Sequence, residues 1–196
     1  MADSFVLHLV RHLPTQGNED RKYIGWTDEP ILESAKAVHP LALARFVCGS
    51  DLLRARQTAA LYFPNERYKE DCNFRECNFG EFEGKTYADL EKDTDYRQWI
   101  DDPYANAPRG GESLVEVENR VMSALKMVPK DAIIVTHGGP IRIILTKFSP
   151  IQNEFWSWKI PRGYCYRLEW ENQRAFKEGQ ACISISAVPT TANGTM

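Results

Sequence analysis

The sequence predicts an α/β fold, a three-layer α/β/α sandwich whose mainly parallel sheet carries helices on both faces. Three observations carry that expectation. Short β-rich runs alternate with helical ones. Phe5–Val10 is apolar at every position but His8, as in a strand buried on both faces. Asp131–Thr136 runs through His137-Gly138-Gly139 directly into a helical stretch. With 196 residues, 43% hydrophobic and 26% charged, the chain has material for one cored domain. That domain is expected over residues 1–189, with a frayed tail at 190–196.

In chain order, the strand Phe5–Val10 ends in Arg11-His12, and a loop rich in turn formers follows from Pro14 to Asp28. Ser34–Leu43 has helical character interrupted by Pro40, and Ala44–Cys48 reads as a short strand. Leu52–Leu61 is a helix with Ser50 or Asp51 as its N-cap, which places Arg54 in the first turn. Asn73–Gly84 reads as a loop, Tyr87–Ile100 as a polar helix, and Ser113 to about Met127 as an amphipathic helix apolar at Leu114, Val117, Val121 and Leu125. After the strand Asp131–Thr136, Pro140–Phe148 is a helix with proline at its first position. Tyr164–Trp170 and Ala181–Val188 form an antiparallel hairpin at one side of the sheet.

Composition excludes several classes. A net charge of -3 gives no basic excess for nucleic acid or an anionic membrane surface. No stretch is apolar for long enough to span a bilayer, and Met1-Ala2-Asp3-Ser4 starts no leader pattern, so a cytoplasmic protein is expected. Five scattered cysteines without a C-x-x-C pair suggest neither a disulfide framework nor a zinc site. His8 and His12 are too far apart along an extended strand to share a metal, and His8 and His39 are read as structural. No metal and no cofactor are expected.

In a parallel sheet, ligands bind beyond the carboxyl ends of strands. Arg11-His12, Ser50–Arg54 and His137-Gly138-Gly139 all fall at such ends, so three distant segments are expected to converge. Two arginine forks, two imidazoles, helix dipoles and the N–H groups near Gly138 suit a phosphate dianion. A neutral imidazole attacks phosphorus without a metal if a carbonyl fixes its other nitrogen.

These residues resemble the histidine phosphatase superfamily, the phosphoglycerate-mutase-like group, over almost the whole chain. The resemblance rests on Leu9-Val10-Arg11-His12 with Thr15 and Asn18, on Gly25-Trp26-Thr27-Asp28, and on Ser50 through Thr58. It continues through Phe74 to Gly84, Gly110-Gly111-Glu112-Ser113 and Val135 to Arg142. It implies a phosphoglycerate-mutase-like fold and a phosphomonoesterase of the branch resembling α-ribazole phosphatase, acting on a small phosphorylated metabolite as a monomer or homodimer. By the same resemblance His12 is the nucleophile and Arg11, Arg54 and His137 clamp the phosphoryl group. Asn18, Thr15 and Gly138 are further substrate contacts, and Glu76 is the proton donor. Arg56 competes with Arg54, and Glu81 and Glu83 with Glu76. Leu13-Pro14 departs from the glycine that often follows the nucleophile and argues against a mutase. So does the lack of an Arg-Arg pair between Asp93 and Gly110, where only Arg97 and Arg109 occur. A non-catalytic phosphate-binding module is the remaining alternative. Specificity is expected from Thr15–Asp28, Tyr87–Gly111 and the aromatics at Phe155–Trp158, Tyr164 and Tyr166.

Overall fold

The computed structural model describes residues 4–41 and 46–190. Its sheet has six strands, β1 (Phe5–Arg11), β2 (Val47–Gly49), β3 (Tyr68–Glu70), β4 (Ala132–Thr136), β5 (Tyr164–Trp170) and β6 (Ser184–Pro189), in the order β3-β2-β4-β1-β5-β6. The first four of that order are parallel, and β5 and β6 add an antiparallel hairpin at one edge. The register sets Leu9 opposite Ile134, Arg11 opposite Thr136 and Gly49 opposite Val135. The carboxyl ends of β2, β4 and β1 therefore lie side by side.

Period-two alternation sends the strands' side chains into two cores. Phe5, Leu7, Leu9 and Ile134 pack with helices α5 (Leu114–Leu125), α6 (Gly138–Phe148) and α7 (Gln173–Lys177) on one face. Val10, Ile133 and Val135 pack with α2 (Leu53–Tyr62) on the other. Helices on both faces explain why β1 and β4 read as continuous apolar runs. Leu7, Leu9 and Ile134 are wholly buried, and burial of each stabilises the fold by about 1.5–3 kcal/mol. A hydrophobic cluster of Phe82, Leu90, Tyr96 and Trp99, joined by Tyr23 and Phe79, packs the segment after β3 against the first loop. Among the described residues no helix is long and apolar enough to cross a membrane.

Several expectations are corrected. The loop after His12 contains a short helix, α1 (Gln16–Glu19). Of the helix predicted over Ser34–Leu43 only the start turns, within the 3-10 helix Glu33–Lys36, while residues 42–45, which include part of that helix and of the following strand, lie outside the described residues. The N-cap of α2 is Leu52. Ser50 Oγ accepts from Leu52 N instead, and the orphan N–H of Leu53 is taken from afar by Asp28 Oδ1 at 2.7 Å. Strand β3 is three residues, with the polar Lys69 and Glu70, too short and polar to announce itself. The single polar helix divides into α3 (Tyr87–Leu90) and α4 (Thr94–Asp101), because Asp93 turns its carboxylate onto Tyr96 N and starts a new helix. Helix α6 begins at Gly138, so Pro140 is its third residue, still within the turn that needs no intrahelical N–H. Thr190 is buried and anchored, its N–H to Gly163 O and its hydroxyl to that of Tyr62; residues 191–196 lie outside the described residues.

Candidate active site

His12 continues the pairing of β1 with β4, its N–H donating to Thr136 O at 2.9 Å. Its Nδ1 lies 2.6 Å from the carbonyl of Leu13. A carbonyl only accepts, so Nδ1 carries the proton and Nε2 keeps its lone pair. The turn is fixed in its place by Leu13 N donating to Thr58 Oγ1, whose hydroxyl donates to Arg54 O. Leu13 itself points into the core beside α2 and is buried there. The departure at Leu13-Pro14 thus adds to packing on that side of the sheet.

Arg54 is entirely buried although charged. It donates from Nη1 to Thr27 O at 2.8 Å and from Nη2 to Gly25 O at 2.6 Å, and its Nε reaches His137 Nδ1 at 3.3 Å. The last contact makes Nδ1 of His137 an acceptor and leaves the proton on Nε2, which is buried without a partner among the described residues. The two imidazoles lie 5.0 Å apart between ring centres. Burial first, then the Arg54 charge, holds both well below the ordinary histidine value of 6.5, so both are neutral. Arg56, the rival, points outward toward Glu70 at 3.9 Å.

Arg11 donates from Nη1 to Ile160 O at 2.6 Å, and its Nε is buried without a partner among the described residues. Burial, then the neighbouring Arg162, lowers its pKa to about 10, and it stays charged at neutral pH. Glu76 rests on the first turn of α6, with both carboxylate oxygens 3.1 Å from Gly139 N and Oε1 2.9 Å from Cys77 N. A Cβ on Gly139 would stand 2.1 Å from Glu76 Oε1, so glycine is what admits the carboxylate there. The competing glutamates go elsewhere. Glu83 accepts from the N–H groups of Gly25, Trp26, Thr27 and Phe79 and from the Thr27 hydroxyl, while Glu81 is exposed and 4.0 Å from Arg109.

Thr15 and Asn18 form the capping box of α1, the threonine oxygen accepting from Asn18 N and Asn18 Oδ1 from Thr15 N. Both are thereby engaged in local structure. Sequence reading missed three contributors. Arg142, one turn into α6, donates from Nε to Trp158 O at 3.0 Å, and its spacing from Gly138 was the available signal. Arg162 carries no motif. Arg120 donates to the carbonyls of Asn73, Arg75 and Glu76 and pairs with Glu112 at 2.8 Å, holding the turn that presents Glu76. Among the described residues no group of His, Cys, Asp and Glu could hold a metal ion.

Fold and site together define a phosphate-handling α/β enzyme of the phosphatase type, with its neutral histidine pair and arginines at parallel strand ends. The sequence profile of the Histidine phosphatase superfamily (branch 1) matches residues 7–180, and the chain belongs to that superfamily. It is 30% identical over 194 residues to 2,3-bisphosphoglycerate-dependent phosphoglycerate mutase 2 of Gloeobacter violaceus, covering 86% of each chain. It is 25% identical over 185 residues to adenosylcobalamin/alpha-ribazole phosphatase of Escherichia coli, covering 86% of this chain and 91% of that one. The solved structure of the alpha-ribazole phosphatase from Shigella flexneri superposes with a TM-score of 0.76 over 86% of this chain and 92% of that one, and at 22% identity this likeness concerns the fold.

Proposed function

We propose that the protein hydrolyses a small phosphate monoester through a phosphohistidine on His12. The observation that carries this reading is the Nδ1 contact to the Leu13 carbonyl, which leaves the Nε2 lone pair as nucleophile beside Arg11, Arg54 and the free Nε2–H of His137. Nε2 attacks phosphorus in line, a P–N bond forms, and the P–O bond to the leaving group breaks as Glu76 gives the leaving oxygen a proton. Water then attacks the phosphohistidine, Glu76 takes its proton, and phosphate leaves with His12 neutral again. Charge developing on the phosphoryl oxygens meets the guanidiniums of Arg11 and Arg54, so positioning and electrostatics supply the rate.

His12→Ala should abolish both release of phosphate from an aryl phosphate and trapping of acid-labile phosphoprotein; full activity in that variant sinks the reading. Hydrolase is favoured over mutase because Arg97 and Arg109 are engaged on the surface, with Asp101 at 3.9 Å and with Glu81 and Asp95 at 4.0 and 3.9 Å. Assaying phosphate release and phosphoryl transfer between positions of phosphoglycerate on one preparation separates the two. Binding of phosphate esters without turnover would instead point to a non-catalytic module.

A further inference from the structure

The carbonyl of Glu76 is gripped from two directions. Trp26 Nε1 donates to it at 3.0 Å and Arg120 Nη2 at 2.8 Å, as many donors as a carbonyl oxygen has lone pairs. The donors come from distant parts of the chain, Trp26 from the loop after α1 and Arg120 from α5. Trp26 is 40% exposed, yet its ring is fixed. The guanidinium carbon of Arg75 stands 4.9 Å from the ring centre, and Arg75 is itself locked on Asp51, with Nε to Oδ1 at 2.7 Å and Nη2 to Oδ2 at 2.5 Å. The main-chain N–H of Trp26 donates to Glu83 Oε1 at 2.8 Å. The carbonyls on either side of it, Gly25 and Thr27, are those that Arg54 binds. Three consecutive residues thus hold Arg54 with their carbonyls and the main chain of Glu76 with an indole.

Under the phosphomonoesterase reading, on which this inference rests, Glu76 must come within about 2.6–3.2 Å of the leaving oxygen while Arg54 holds the phosphoryl group. The glutamate side chain is flexible, so that approach is only as constant as its main chain is fixed relative to Arg54. We propose that Trp26 is a positioning residue for Glu76: its indole N–H keeps the proton donor in register with the arginine that holds the phosphoryl group. Trp26 acts through Glu76, and a misplacement of about 1 Å is enough to cost on the order of a hundredfold in rate. Arg120 grips the same carbonyl, but it also forms a largely buried pair with Glu112, so its loss would reach the core. Trp26, near the surface, is where position can be separated from stability.

Two esters and a double-mutant cycle test it. Glycerol 3-phosphate leaves as an alkoxide that needs a proton, whereas p-nitrophenyl phosphate leaves as a stable phenolate that does not. Trp26→Phe removes the N–H and keeps an aromatic face for Arg75. It should lower kcat/KM for glycerol 3-phosphate by about tenfold or more and for p-nitrophenyl phosphate by less than about threefold. Replacing Trp26 by β-(3-benzothienyl)alanine, which fills the same volume with sulfur in place of N–H, should give the same split. In a Glu76→Gln background, where the proton donor is already gone, Trp26→Phe should change either ester by less than about twofold. Equal losses on both esters, wild-type activity in the isosteric variant, or a full further loss in the Glu76→Gln background overturns the positioning role while the phosphatase stands. Wild-type cleavage of both esters by Glu76→Gln alone removes Glu76 as proton donor and the role of Trp26 with it. No hydrolysis of either ester by the unaltered protein overturns the parent reading.

Discussion

Nε of Arg54 donates to Nδ1 of His137 across 3.3 Å, so one buried arginine both sets the histidine's tautomer and ties down the loop carbonyls of Gly25 and Thr27. A lysine has no fork to reach all three. Arg54→Lys leaves buried acceptors without donors at about 1–3 kcal/mol each, so a loss of roughly 2–5 kcal/mol is expected in urea denaturation. Its kcat/KM should fall by about a hundredfold or more, the size of a lost oxyanion donor. Wild-type stability in that variant would contradict the bonding described.

Gly139→Ala should evict the Glu76 carboxylate from the start of α6, since the new methyl would occupy its position. Glu76 ends a flexible side chain, so the fold should survive with a change of about 1 kcal/mol. Activity toward an alkyl phosphate, whose leaving oxygen needs a proton, should fall much further than activity toward p-nitrophenyl phosphate. Glu76→Gln should give the same split, and parallel losses on both substrates would remove Glu76 as proton donor.

Acid should destabilise the protein through its two buried imidazoles. Each has a folded pKa below the ordinary 6.5 of the unfolded chain. Below 6.5 the unfolded state therefore binds a proton that the native state refuses, so stability is full above that value and declines as pH falls beneath it. Each histidine adds up to about 1.4 kcal/mol per pH unit to that slope. His137→Gln should flatten the decline by about this much between roughly pH 6.5 and 5, as read from urea midpoints. An unchanged slope would mean that His137 takes up its proton while folded.

Glu83 should matter to activity without touching substrate. Its carboxylate collects N–H groups from Gly25, Trp26 and Thr27, the loop whose carbonyls hold Arg54. Glu83→Ala should lower stability by about 1.5–3 kcal/mol, as for hydrogen bonds to a charged group, and should raise KM. Glu81→Ala, at an exposed position, should stay within about 0.5 kcal/mol of wild type. Thermal denaturation and steady-state kinetics on both variants distinguish the two glutamates.

What could be read from sequence was what is local. The apolar runs of β1 and β4, the His-Gly-Gly passage into α6 and the amphipathic period of α5 are each encoded within a few residues. The positions of Arg11, His12, Arg54 and His137 at neighbouring strand ends follow once the sheet is parallel. Illegible were relationships across long separations. Asp28 completes the start of α2, Arg120 holds the turn before Glu76, and the carbonyls of residues 158 and 160 bind arginines from two other elements. The split between α3 and α4 was visible in Asp93 as a cap, but the polar composition on both sides hid it. Glu76, Glu81 and Glu83 occupy similar sequence surroundings, and only the fold shows their different neighbours: Gly139 N for Glu76, the N–H groups of Gly25 to Thr27 for Glu83, and Arg109 for the exposed Glu81.

Strand β4 lies between β2 and β1, though it follows both by many residues in the chain. The sheet's middle is therefore empty until the second half of the polypeptide arrives, and the pairs Leu9–Ile134 and Gly49–Val135 close very long loops. Such high contact order slows folding. On refolding from urea, helical signal should return before catalysis does, because the histidine pair is brought together only when β4 enters its slot. During synthesis, a chain stopped short of residue 132 would hold His12 after β1 and Arg54 in the helix after β2 with nothing between those two strands.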